Sequence, residues 1–319
     1  MARLRRNKEI TDTISEMLDM FIVDKESQGR AKKTLQCYEE SIRKFISYNG
    51  DCNINELRLG NIIAYRKHMI KDEELHTASI NHYLRDLRTF LNYCYDNHYM
   101  DDKIRVELVK GQEEIKDTYT QEELELLLKK PTNVNDFVEW RTYVIVNYVL
   151  ATGNRAETIC GITMSDVDLN RRIIRISTAK NKRVSEIAVD KQITSLLRRY
   201  IKEWRADATL SEYLFCNIAG DKLTTNGLRQ SYIKYCKDRG IEKTSIHLLR
   251  HTFAKLYILN GGSEFKLQQM LGHSTLSMTR HYVSMFGTDL ARDIDSVSPL
   301  ISITKNSGGM ERKVQRNRR

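Results

Sequence analysis

At 319 residues, with 40% apolar and 29% charged side chains, the chain is long enough for two domains with real cores and too apolar for a disordered tail protein. A net charge of +10 and a pI near 9.2 favour a polyanionic partner, nucleic acid before membrane, although a basic balance alone does not decide it. Residues 1–105 carry 18 Lys and Arg against 17 Asp and Glu, so the excess lies beyond them, at 34 against 25.

The six cysteines, Cys37, Cys52, Cys94, Cys160, Cys216 and Cys236, show no C-x-x-C pair and no histidine at metal-ligand spacing. They read as reduced, mostly buried thiols of a cytoplasmic protein, with no metal site and no cofactor. The apolar run YVIVNYVLA at 143–151 is too short to span a bilayer, and the charged start MARLRRNKEI has no apolar segment after it, so no membrane is expected.

In chain order, residues 9–27 place Ile10, Ile14, Met17, Leu18, Phe21 and Ile22 three and four apart, which predicts an amphipathic helix ending near Gly29. A second helix over about 31–48 uses Leu35, Tyr38, Ile42, Phe45 and Ile46. NINELRLGNIIAYRKHMIK predicts a third after a loop holding Gly50 and Asn53, and a fourth runs over about 77–97. DDKIRVELVKGQEEIKDT, at 101–118, has no clean period, is rich in charge and contains Gly111. It reads as a linker between domains.

Beyond it, TQEELELLLKK begins a helix, with Thr120 and Glu123 at the spacing of a capping box and Pro131 ending the helical region. A buried helix over about 136–151 leads into ATGNRAETICGI. RRIIRISTAKNKRVSEIAV, at 171–189, reads as two strands about a polar turn, with six basic and no acidic residues from Arg171 to Arg183. Such a hairpin also serves as a solvated edge that resists aggregation. DKQITSLLRRYIKEW is an amphipathic helix, and EYLFCN a short strand or turn. TTNGLRQSYIKYCKDRG is a further helix with Thr224 as cap and Gly240 as stop.

The most informative stretch is HLLRHTFAKLYILNGGSEFKLQQMLGHSTLSMTRHY, from His247 to Tyr282. In a helix starting near Thr244, His247 and Arg250 stand three apart on one face and can address one ligand atom. LGHSTLSMTRHY then supplies His273 and, nine positions on, Tyr282. Each element alone is weak, and their order within so short a span is what discriminates. This run resembles the C-terminal signature of the tyrosine recombinases, the phage integrase family: HxLRHTFA, then LGH, then a tyrosine.

The resemblance implies a mainly α fold with a small β component, made of an all-α core-binding domain and a mixed α/β catalytic domain. The boundaries expected are 1–105, a linker at 106–118, a catalytic domain at 119–290 and a C-terminal segment with a basic tail at 291–319. It implies a site-specific recombinase that cleaves and rejoins double-stranded DNA through a 3′-phosphotyrosine and a Holliday junction, as a homotetramer on paired sites, without metal or ATP. ATGNRAETICGI resembles the family's first arginine box, which makes Arg155 its arginine. Asn154 replaces the usual Leu, and Thr158 stands where the family places Glu, with Glu157 beside it.

The hairpin resembles the one that carries the family's mobile lysine, at Lys180 here, with Lys182 the substitute. The catalytic set implied is therefore Arg155, Lys180, His247, Arg250, His273 and Tyr282. Candidate DNA contacts are Arg30, Lys32, Lys33, Arg85, Arg88, Lys182, Arg183, Arg229 and Lys234, each of which is equally readable as a solvated helix or hairpin charge. The helix bearing Arg229, Lys234 and Lys237 is a candidate major-groove reader. In the family, a C-terminal segment such as the amphipathic run VSMFGTDLARDIDSVSPLISI after Tyr282 can pack on a neighbouring subunit, and the basic end is expected to touch phosphates or to be disordered, disorder being expected for residues 306–319. The short N-terminus points to a compact Xer-type or mobile-element enzyme rather than an arm-binding integrase. Two other classes stay open, an inactive DNA-binding regulator and a type IB topoisomerase that relaxes DNA as a monomer.

Overall fold

The computed structural model describes residues 13–111, 117–177 and 184–272. Lys180, Lys182, Arg183, His273, Tyr282 and the segment 291–319 lie outside the described residues. The chain divides into two compact units, residues 1–114 and 115–319.

The first unit is built on α1 (Ile14–Ser27), α2 (Lys32–Asn49), α3 (Leu59–Lys71) and α4 (Thr77–Asp96), with a 3₁₀ turn at Ile54–Glu56. Thr13 starts α1: its hydroxyl accepts from the Glu16 amide while the Glu16 carboxylate accepts from the Thr13 amide, which satisfies two donors of the first turn. Ile10 lies outside the described residues; of the predicted apolar stripes, Ile14, Met17, Leu18, Phe21, Ile42 and Phe45 are buried in one core, with Ile22, Tyr38 and Ile46 packed against it. Phe21 sits at its centre, with Tyr38, Phe90 and Tyr93 at ring separations of 5.3, 5.6 and 5.2 Å in tilted and edge-on contacts. Buried Asp86 of α4 accepts from Ser41 of α2 at 2.6 Å, so the one carboxylate in this helix interface is hydrogen-bonded.

The linker expected at 106–118 begins later than its composition implies. Ile104 and Val106 are buried in the first unit's core, and Leu108 and Val109 pack against it. Asn81 clamps Val109 through both backbone groups, at 2.9 and 2.8 Å, and Arg88 donates from Nε and Nη2 to the Val106 carbonyl at 3.0 and 2.5 Å. Residues 104–109 are thus an extended strap on α4. Side-chain amide and guanidinium groups stand in for a sheet partner, which a search for periodicity does not detect.

The second unit contains α5 (Gln121–Leu127), α6 (Phe137–Thr152), α7 (Ala156–Gly161), β1 (Val167–Asp168), β2 (Ile173–Ser177), β3 (Val184–Ala188), α8 (Lys191–Trp204), α9 (Thr225–Lys237), α10 (Ile246–Leu259) and α11 (Glu264–Leu271). α6 is the hub: it touches α8, α9 and α10 and buries Trp140, Val144, Ile145, Tyr148 and Val149. That explains why its sequence is apolar without an amphipathic stripe. The two predicted strands pair antiparallel with Ile174 opposite Ile187 and Arg175 opposite Glu186, alternating core and solvent. β1 adds a third strand that pairs Val167 with Ile174. Thr120 and Glu123 form the expected capping box, and Thr224 caps α9 through the Gly227 amide at 2.9 Å. Cys94, Cys160, Cys216 and Cys236 are buried, and Cys37 and Cys52 half-buried. No helix among the described residues is long and apolar enough to cross a membrane.

Candidate active site

Three chain segments meet where the expected arginines lie. The turn between α6 and α7 contributes Gly153, Asn154 and Arg155; α10 contributes His247 and Arg250; and the end of α11 contributes Leu271 and Gly272. Arg250, 6% exposed, donates from Nη1 to the Gly153 carbonyl at 2.7 Å and from Nη2 to the Leu271 carbonyl at 2.8 Å. Exposed Arg155 donates from Nη1 to the same Leu271 carbonyl at 3.1 Å. One oxygen therefore collects both guanidinium groups and fixes their separation.

Glycine is demanded at the turn. Gly153 has φ +66°, and a Cβ there would stand 2.4 Å from Phe253 Cδ1 and 2.8 Å from Leu271 Cδ2. Gly272 ends α11 in the left-handed conformation at φ +60°, donating its amide back to Gln269 at 3.1 Å. The residue after it in sequence is His273.

His247 lies in the first turn of α10, one turn before Arg250, with its ring still reaching solvent. Partial burial, followed by the positive charges of Arg250 and Arg155, lowers its pKa below the ordinary value. The shift favours the neutral imidazole, the form able to accept a proton.

The departures in the first arginine box have physical reasons. Asn154 is buried, and its Nδ2 donates to the Tyr148 hydroxyl at 2.7 Å, so an Asn–Tyr pair fills the place where the family has Leu. Glu157 is exposed in the first turn of α7 and Thr158 is half-buried, so a helix surface is what the displaced acid occupies. Sequence reasoning missed Thr252. Its buried hydroxyl donates to the Leu248 carbonyl at 2.7 Å and accepts from the Tyr119 amide at 3.0 Å, tying α10 to the start of the unit.

Of the candidate DNA contacts, Arg30, Lys32, Lys33, Arg85 and Arg229 are exposed. Exposed Lys234 pairs with Asp238 at 3.2 Å, one turn on. Half-buried Arg88 spends two of its nitrogens on the strap, a fold role that the expectation of a DNA contact did not include.

Comparison with known proteins follows the same division. The phage integrase family model matches residues 117–287, and the phage integrase N-terminal SAM-like domain matches residues 17–101. The chain belongs to the phage integrase family. It is a tyrosine recombinase, an enzyme that cleaves and rejoins DNA strands through a tyrosine intermediate. Tyrosine recombinase XerD of Listeria monocytogenes is 27% identical over 284 residues, covering 86% of this chain and 94% of the relative. Tyrosine recombinase XerA of Thermococcus kodakarensis is 27% identical over 277 residues, covering 85% and 91%. In fold, this integrase-family chain is similar to the Tn1549 transposon integrase in complex with transposon right end DNA, with a TM-score of 0.75 at 21% identity over 90% of this chain and 100% of that one. It is also similar to a lambda integrase tetramer bound to a Holliday junction, with a TM-score of 0.68 at 15% identity over 88% and 81%.

Proposed function

We propose that the chain exchanges DNA strands between two specific duplex sites, as a tetramer in the cytoplasm, with Tyr282 as nucleophile. The observation that carries this reading is the convergence of Arg155 and Arg250 on the carbonyl of Leu271, two residues before His273 in sequence, with His247 one helical turn before Arg250 on α10. A phosphodiester repels an attacking oxygen, and its transition state loads charge on the nonbridging oxygens. Guanidinium forks fixed in place act where that charge develops.

In this scheme the Tyr282 oxygen attacks phosphorus and its proton passes to His247. The bond from phosphorus to the 5′-oxygen breaks, and Lys180, with Lys182 as the alternative, protonates the departing oxygen. His273 donates to a nonbridging oxygen. The product is a 3′-phosphotyrosine that keeps the ester bond, so a 5′-hydroxyl from another strand reverses the step and joins, with no ATP or metal ion in the balance. Successive exchanges pass through a Holliday junction, in integration or excision of a mobile element or in dimer resolution. Sequencing the DNA that flanks the gene identifies the site and separates these uses.

The test is Tyr282→Phe on a nicked duplex bearing that site. Denaturing gels should show a covalent protein–DNA adduct for the wild type alone, with site binding near normal in the variant. An adduct persisting in Tyr282→Phe would move the nucleophile elsewhere.

A further inference from the structure

The second unit opens on a segment fastened to α10 more firmly than a chain entry needs. Buried Tyr119 donates its amide to Thr252 and its hydroxyl to the Lys243 carbonyl at 2.9 Å, with the Ser245 carbonyl 3.4 Å away. The Tyr232 hydroxyl of α9 in turn donates to the Tyr119 hydroxyl at 2.8 Å. Just before Tyr119, the Lys243 ammonium reaches the Thr118 carbonyl at 3.0 Å and the Asp117 carboxylate at 3.2 Å, and Lys255 reaches the Thr118 hydroxyl at 3.2 Å; just after it, Lys243 reaches the Glu123 carboxylate at 3.3 Å.

The direction of the phenol chain follows from protonation. Burial raises the pKa of both tyrosines, so each keeps one proton: that of Tyr232 goes to Tyr119, and that of Tyr119 to the backbone. The carbonyls of Lys243 and Ser245 belong to the approach to α10, with Ser245 its N-cap and His247 two residues further on. Ser245 gives α10 no side-chain cap, and the phenol restrains the backbone of this approach from the side, while the Lys243 ammonium holds its side chain to Thr118, Asp117 and Glu123.

We propose that Tyr119 is a positioning residue for strand cleavage: by holding the Lys243 carbonyl it fixes where α10 begins, and hence where His247 stands relative to Arg155 and Arg250. The inference rests on the reading of His247 as part of the reaction centre. Tyr119 is buried, and it lies near the start of the second unit, five residues past the end of the first in sequence.

Two variants separate positioning from stability. Tyr119→Phe loses the bond to Lys243 and the bond from Tyr232, whereas Tyr232→Phe leaves Tyr119 free to hold the carbonyl, and each variant also loses its phenol's contact with the Cys236 thiol. Adduct formation is followed in single turnover, with saturating full-length protein on the nicked duplex, beside gel-shift affinity and thermal unfolding. Tyr119→Phe should slow adduct formation roughly 10- to 100-fold, the scale of a sub-ångström to ångström misplacement, with affinity unchanged. Tyr232→Phe should keep its rate within about twofold despite a comparable loss of thermal stability. Amide exchange at Leu249 and Arg250 should quicken in Tyr119→Phe and not in Tyr232→Phe.

A normal rate in Tyr119→Phe overturns the inference, and so do equal losses of rate in both variants. The exchange measurement needs no DNA, and Tyr282→Phe is scored separately, so failure of the nucleophile reading and failure of this one are told apart.

Discussion

A histidine works as a base only while its imidazole is neutral, and the surroundings of His247, the proposed proton acceptor, favour that form. Its pKa is depressed in the folded protein by partial burial and then by Arg250 and Arg155. The sign follows: cleavage that needs neutral His247 is fully present above its folded pKa and is lost as pH falls through it, so the acid limb lies below the ordinary value of about 6.5. Arg155→Gln removes one of the two charges, so the imidazole titration, followed by proton NMR on the protein alone, should move upward. It should recover only part of the depression, because burial is the largest cause and Arg250 remains. A midpoint that stays put would detach Arg155 from the site. Gly153 offers a second test at this scale. Gly153→Ala forces a side chain into the left-handed region and against Phe253 and Leu271, so unfolding should become easier by about 2–4 kcal/mol in a denaturant titration. Its carbonyl also accepts from Arg250, so cleavage should fall further than the folded fraction. For Lys180 and Lys182, a substrate with sulfur at the 5′-bridging position needs no proton on its leaving group. Lys180→Ala should lose roughly 10²–10⁴-fold on normal DNA and recover on the sulfur substrate, and Lys182→Ala should do neither. Rescue of Lys182→Ala alone would reassign the acid.

At the scale of elements, what the sequence made legible is what local physics decides. The stripes Ile42–Phe45 and Met17–Leu18–Phe21 turned out to be core faces, as a three-and-four spacing of apolar groups implies, and Leu35 is buried as well. The Thr120–Glu123 box and the hairpin at 173–188 were readable for the same reason. The first arginine box and the H-x-x-R of α10 were readable as motifs of the family to which the chain belongs. Three features were not legible. β1 is two residues long and is fixed by pairing with Ile174, not by its own composition. Tyr119 reads as one more aromatic until α9 and α10 are folded around it. The strap at 104–109 reads as linker because its order comes from Asn81 and Arg88 on another element. Asn81→Ala removes both bonds to Val109 and should lower the stability of the first unit by about 1–3 kcal/mol in a denaturant titration. An unchanged midpoint would mean that apolar packing of Ile104 and Val106 holds the strap unaided.

Charge is a property of the whole molecule, and it divides the exposed arginines from those that the fold uses. The chain carries +10 overall, nearly all of it beyond residue 105, and a duplex bound by many such groups releases counterions as it docks. Site affinity should therefore fall steeply with salt, by roughly 10³–10⁵ between 50 and 200 mM if 6–10 phosphates are contacted. Two arginines three apart on α4 turn this into a residue-level assay. Arg85 is exposed, whereas Arg88 is half-buried with Nε and Nη2 on the Val106 carbonyl. If Arg85 meets a phosphate, Arg85→Gln should weaken binding about equally on specific and unrelated DNA and reduce the logarithmic salt slope by about 1. Arg88→Gln should leave that slope alone and instead lower the unfolding midpoint, because it releases the strap. Gel shifts of both variants across a salt series, beside denaturant titrations, read the two effects separately. A slope reduced by Arg88→Gln with no loss of stability would reverse the assignment, making the strap contact incidental and the guanidinium a phosphate ligand.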